Sequence, residues 1–350
     1  ILAKKPKLGT NIFPKLYSKV SMPAIFRFLD GKPTLTDEFR ILSSLPPMPF
    51  IKEAVLVIFS QIKNFKISMN AILWLILSLL LLIQFTTPTT IELISPYLLI
   101  IGLIFPGIPH GALDHHLDQK KNKGVKPFII FHINYIALMA IIVGIWILSP
   151  ILGLISFILY SAYHFGQTDG LSLGLNNRLI SFLLGICILV FLLATHLNEV
   201  LFYFEAFGLK TESIQGNQFS YLPTALSGLG ILGIIPLIKK NYIRFVTLIG
   251  ILLIGWSLPL LLSFGLYFVG FHSWQGWFDI KKGTGKSSIQ MLKAAAPYSL
   301  AAWLSFGIIW FFLPQSIDLE NFYPAIFIFL AAVSAPHILH MNKFYNKHFT

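Results

Sequence analysis

The sequence predicts an all-α, polytopic transmembrane helix bundle of about ten spans with both termini cytoplasmic, and three observations carry that expectation. Of its 350 residues, 55% are hydrophobic and only 11% charged, whereas an ordinary soluble domain carries about 25% charged residues. From residue 69 onward, apolar runs of roughly 17 to 25 residues recur, each long enough to cross a hydrocarbon core about 30 Å thick. The basic residues fall in alternate connections between those runs, as the positive-inside rule requires of a multi-pass protein.

Residues 1–66 stand apart. They are basic, punctuated by Pro14, Pro23, Pro33, Pro46, Pro47 and Pro49, and contain no 20-residue apolar run, so they read as a non-spanning segment or a basic tether lying on the membrane. The chain opens on Ile1 rather than Met, with no signal peptide, which points to a fragment or a processed product. Residues 67–350 form the membrane-embedded domain. Its expected spans lie near 69–86, 91–113, 126–148, 150–168, 177–199, 221–238, 242–258, 260–278, 296–313 and 322–341. The stretch 242–278 must make two spans with a turn near Pro259. Lys120, Lys121, Lys123 and Lys126 follow the second run, Arg178 the fourth, Lys239, Lys240 and Arg244 the sixth, and Lys281, Lys282, Lys286 and Lys293 the eighth. The opposite connections carry little beyond Lys210 beside Glu205 and Glu212. This places the protein in the cell (inner) membrane. The net charge of +12 is scattered between apolar runs and fits anionic lipid, not nucleic acid.

One cysteine, Cys187, excludes a disulfide framework and a thiolate cluster, so any metal is held by nitrogen or oxygen. Ten histidines are the unusual feature, because an ionisable group inside a membrane is costly unless paired or ligating. His110, His164, His272 and His337 each fall near the end of a span running from outside to inside, so four imidazoles share one depth. For the last three, the boundary charges that follow are expected to be Asp169, Asp279 and Lys343. Neutral imidazole suits iron, copper and zinc. His196 falls at the opposite face and His348 in the tail, and His132 reads as structural.

The motif PGIPHGALDHH can be read further. Pro106 and Pro109 remove backbone donors and bend the helix end, and Gly107 and Gly111 allow close approach. On a helix His110 and Asp114 share a face, so Asp114 either fixes the tautomer of a ligating histidine, its own or a neighbour's, or simply faces water. His115 and His116 lie at the water boundary, where ligation and solvation both fit.

GIPHGALDHHL, YHFGQTD, GFHSWQGW and APHILHM, in that order over roughly residues 70 to 345, resemble the Brp/Blh family of integral-membrane β-carotene 15,15′-dioxygenases. The resemblance implies central cleavage of β-carotene by molecular oxygen to two all-trans retinal, at Fe(II). It implies His110, His164 and His272 as site residues; Asp114 joins them from its spacing to His110, and His337 is added as metal ligand from its depth. Where a second histidine is expected one turn after the HS motif, this sequence has Gly276, which leaves His337 or His340 to supply the fourth ligand. The stretch FRFLDGKPTLTDEFRILSSLPPMPFIKEA resembles the C-terminal end of bacterial-type lycopene β-cyclases, which implies an upstream enzyme that makes what this one consumes. The partners expected are β-carotene, oxygen and the lipid bilayer, with functional coupling to a lycopene cyclase and to a rhodopsin. Two other readings use the same residues: a histidine-box desaturase or hydroxylase, which would bring HxxHH boxes that are absent here, and a transporter or rhodopsin-associated protein, which would bring intramembrane carboxylates or lysines.

Overall fold

Backbone polar groups in a lipid slab must be satisfied within the segment or by a closed sheet, and the elements formed here are helices. The computed structural model describes residues 69–117, 124–209, 211, 218–312 and 319–348. The segment 1–66, with its cyclase-like stretch, lies outside them. The helices are α1 (Met69–Thr86), α2 (Pro88–Gly102), α3 (Val125–Leu148), α4 (Pro150–Leu173), α5 (Arg178–Thr195), α6 (Leu197–Ala206), α7 (Gln218–Gly233), α8 (Tyr242–Gly255), α9 (Leu260–Gly265), α10 (Trp274–Thr284), α11 (Ser288–Phe312) and α12 (Leu319–His348). Leu73–Thr350 gather into one compact unit.

Among the described residues, five stretches are long and apolar enough to cross a membrane: Pro88–Leu117, Val125–Leu148, Arg178–Thr195, Ser220–Leu237 and Pro324–His348. Ala71–Thr86 and Tyr242–Gly255 are shorter apolar helices. Each expected run coincides with a helical stretch, but α4 is apolar only in its first half, because Gln167, Thr168 and Asp169 follow. The turn expected near Pro259 is present between α8 and α9. Large apolar side chains face outward, Leu75, Phe85, Ile147 and Leu148 being more than two-thirds exposed, a surface that suits lipid rather than water.

Local sequence explains where the elements start and stop. Ser149 caps α4 by accepting from Leu152 N, with Pro150 in the first turn where its missing donor costs nothing. Gly174 ends α4 in the left-handed region (φ 81°), which glycine adopts without a Cβ penalty. Asn177 then caps α5 through Leu179 N and Ile180 N. Helices α4 and α5 cross at backbone contact: a Cβ on Gly166 would collide with the Ser181 carbonyl, and one on Gly185 with that of Ala162. Small residues at such a crossing replace the hydrophobic drive that lipid removes, and the crossing fixes the height of His164 on α4.

Two π-helical segments interrupt the regular winding, Leu103–Gly107 after α2 and Leu266–Ser273 after α9. They pack on each other, a Cβ on Gly102 lying only 3.0 Å from Val269 Cγ1. One residue too many per turn re-aims the side chains that follow. His110 comes directly after the first segment and His272 lies within the second.

Candidate metal centre

Four imidazoles from four separate parts of the chain meet inside the bundle. His110 comes from the short helix Ile108–Gly111, His164 from α4, His272 from the second π segment and His337 from α12, and all four are buried. One ring nitrogen from each of His110, His164 and His272 lies within 4.8 Å of the others. The His337 ring packs edge-on against two of them, its centroid 4.9 Å from that of His110 and 5.1 Å from that of His164. Phe165 and Phe268 close the cluster against His272, at 4.4 and 6.0 Å between centroids.

The donor set fits a cation. Among the described residues, neither ring nitrogen of His164, and neither Nε2 of His272 nor Nε2 of His337, has a hydrogen-bond partner. A buried polar atom without a partner costs about 1–3 kcal/mol, and several aimed into one space are explained together by an ion that accepts their lone pairs. Neutral imidazole is the donor such an ion requires.

Two carboxylates flank the cluster on its outer side, one hydrogen-bonded to a histidine and one at ion-pair distance. His337 Nδ1 donates to Asp114 Oδ1 at 2.8 Å, and Asp114 Oδ2 accepts from Tyr135 OH at 3.0 Å. On the other side, Asp169 Oδ1 lies 3.9 Å from His272 Nδ1, and its Oδ2 accepts from Tyr267 OH at 2.8 Å. Arg244 contacts Asp169 Oδ1 at 3.4 Å, donates to Ser172 Oγ at 2.8 Å and lies flat on Phe271 at 3.9 Å. The two arrangements run in parallel from tyrosine to aspartate to histidine. In each, the carboxylate serves a histidine from elsewhere in the chain and not its sequence neighbour.

This corrects two expectations. Asp114 does not share an unbroken helical face with His110, because the chain turns at Ala112 and Leu113; His110 Nδ1 instead bonds the Gly107 carbonyl at 2.5 Å. Asp169 and Asp279 are not solvated boundary charges, since both are buried. Asp279 accepts from Tyr345 OH and Gln275 Nε2, and burial pushes its carboxyl up to about 6 even though those bonds lower it. Asp169, Tyr267, Tyr135 and Arg244 were missed. The available signal was QTD, a carboxylate followed by no basic residue until Arg178.

The other histidines separate cleanly. His132 is engaged structurally by Phe128 O at 2.7 Å and Tyr298 OH at 3.2 Å. His115 packs on His132 and His116. His340 stacks on Tyr135 at 6.1 Å and on Phe131 at 4.9 Å. Gly276, where a further histidine was expected, abuts His110: a Cβ there would lie 3.3 Å from His110 Cδ2.

A family model described as beta-carotene 15,15′-dioxygenase matches residues 101–345, which include all four clustered histidines and both aspartates. A curated protein of the same description, beta-carotene 15,15′-dioxygenase from uncultured marine bacterium 66A03, is 27% identical over 256 residues, covering 70% of this chain and 92% of that protein. No solved structure matches the chain.

Proposed function

Because the chain belongs to the beta-carotene 15,15′-dioxygenase family, we propose that it cleaves the central double bond of β-carotene with molecular oxygen, giving two all-trans retinal. Each oxygen atom ends as one aldehyde carbonyl, so the reaction needs no further reductant. The observation that supports this most directly is the convergence of His110, His164 and His272 nitrogens within 4.8 Å inside an apolar bundle. With His337 they would hold Fe(II). Bound there, iron would supply oxygen activation beside the polyene.

The chain's own residues do the remaining work. Asp114 keeps the proton of His337 on Nδ1 and so presents Nε2 inward. Asp169, held by Tyr267 and Arg244, lies 3.9 Å from His272 Nδ1, an electrostatic rather than a hydrogen-bonded partner. Phe165 and Phe268 exclude water from the cluster. In this reading all ten runs span the inner membrane with both termini cytoplasmic, substrate enters from the bilayer, and 1–66 is a non-spanning remnant of a cyclase-like partner, linking β-carotene supply to retinal use by a rhodopsin.

The test is expression of the full chain in cells that accumulate β-carotene, with carotene and retinal measured by chromatography. Loss of carotene with about two retinal per molecule is expected. A hydroxylated or desaturated carotenoid, or unchanged carotene in iron-loaded membranes, would overturn the reading.

A further inference from the structure

A cavity of about 730 Å³ lies between α3, α11 and α12, within the size range of pockets that enclose a small molecule. Its wall on α3 is a single face: Phe131, Tyr135, Met139, Val143 and Ile147 recur every four residues. At about 1.5 Å per residue that face is about 24 Å long, so the cavity is a slot. Ala301, Ala302, Ala325 and Ala332 keep the opposite walls low. Ile136 and Ile147 on its rim are exposed, so it opens sideways toward lipid.

The slot is polar at one end only. Asp114, His115, His132, Tyr135 and Tyr298 line it there, while Met139, Val143, Ile147, Ile328 and Phe329 line the rest; Ser305, part-way along, spends its hydroxyl on the Ala301 carbonyl. The polar end is also where the slot meets the histidine cluster. Gly111 is in the wall, and a Cβ on it would lie 3.6 Å from His337 Nδ1. With no side chain there, only the Gly111 backbone separates the slot from the His337 ring. Tyr135, bonded to Asp114, marks the same level on α3.

We propose that this slot holds one half of the polyene and that its depth, from Tyr135 to Ile147, sets which bond is presented to the histidine cluster. This rests on the carotenoid-cleaving reading above. Twelve residues of helix give about 18 Å, while an extended carotene is about as long as the hydrocarbon core is thick, about 30 Å. Half of that length, with its terminal ring, fills the slot, and the midpoint then falls at Gly111. The carbonyl formed by cleavage would lie at the polar end of the slot, beside His132, Tyr135 and Tyr298. An apolar length and a polar cluster end match a product that is apolar except for one terminal aldehyde.

The experiment compares the full-length parent chain with Val143→Trp, which blocks the slot well away from the cluster, and Ile141→Trp, which adds the same bulk on an exposed face of α3. Each is purified from cells making β-carotene, and from cells fed an apocarotenal shortened at one end. Bound polyene is read by visible absorption and products by chromatography. Val143→Trp should lower both bound β-carotene and its central cleavage about tenfold or more, retain the shortened polyene, and leave Ile141→Trp at parental levels. Equal retention of both polyenes in Val143→Trp, or equal loss of both beside an intact Ile141→Trp, would overturn the slot as a ruler. If the parent binds β-carotene but does not cleave it, the proposed reaction falls, and bound absorbance alone decides the slot.

Discussion

Two buried histidine sites lie toward opposite ends of this bundle, and they differ in how their nitrogens are used. At one end His196 sits in a satisfied pocket: Leu192 O and Thr195 Oγ1 engage Nδ1 at 2.8 and 3.0 Å, and Leu258 O engages Nε2 at 2.8 Å. At the other, among the described residues, neither nitrogen of His164 or of His272 has a hydrogen-bond partner, and His337 leaves Nε2 without one. Burial alone does not distinguish a ligand from a core histidine, because His196 is as buried as His337. Hydrogen-bond satisfaction does. The first kind of site contributes to holding the fold, and the second needs something more to be stable.

The largest way to break this contrast is to remove a ring. Replacing His110, His164, His272 or His337 singly with alanine should lower retinal formation by about a hundredfold or more and release iron, since carboxylate support cannot replace a lost ligand. Activity in membranes together with metal content of the purified protein checks this. A His337→Ala protein that keeps its iron would reduce the ligand set to three.

The supporting carboxylates come next. Asp169→Asn and Asp114→Asn should each lower iron affinity or activity by about 10–100-fold, the usual cost of losing such a partner. Because Arg244 also leans on Asp169, Asp169→Asn should cost stability as well, whereas Asp114→Asn should act mainly through His337. Parallel iron titration and thermal unfolding separate the two effects.

His196→Ala should show the opposite pattern, a loss of about 1–3 kcal/mol in stability as the Leu258 carbonyl loses its partner, with iron per folded molecule unchanged. The smallest effect concerns Asp279. Its carboxyl is raised to about 6 by burial, so its contribution is fully present below its ordinary value of 3.8 and is lost as pH rises through about 6. Asp279→Asn should therefore flatten the pH dependence of unfolding across that window, measured by thermal melts.

The helix runs and the shared depth of four histidines were legible because period and length are local properties of a chain in lipid. The turn at Pro259 was legible for the same reason. What serves each histidine was not, because the two tyrosine–aspartate pairs reach their targets only through tertiary contact: Asp114 to His337 on α12, and Asp169 to His272 after α9. The π segments at Leu103–Gly107 and Leu266–Ser273 were equally hidden. A single extra residue in a turn leaves no periodic trace in so uniformly apolar a sequence, yet it aims His110 and His272 inward.

Under the proposed function, the four clustered histidines share one iron. X-ray absorption at the iron edge of the purified full-length protein, beside His164→Ala and His196→Ala, tests it most directly. The account predicts imidazole nitrogen scatterers at about 2.0–2.2 Å in the parent and in His196→Ala, and loss of one scatterer or of the metal in His164→Ala. An iron spectrum without imidazole scattering, or one unchanged by His164→Ala, would contradict it.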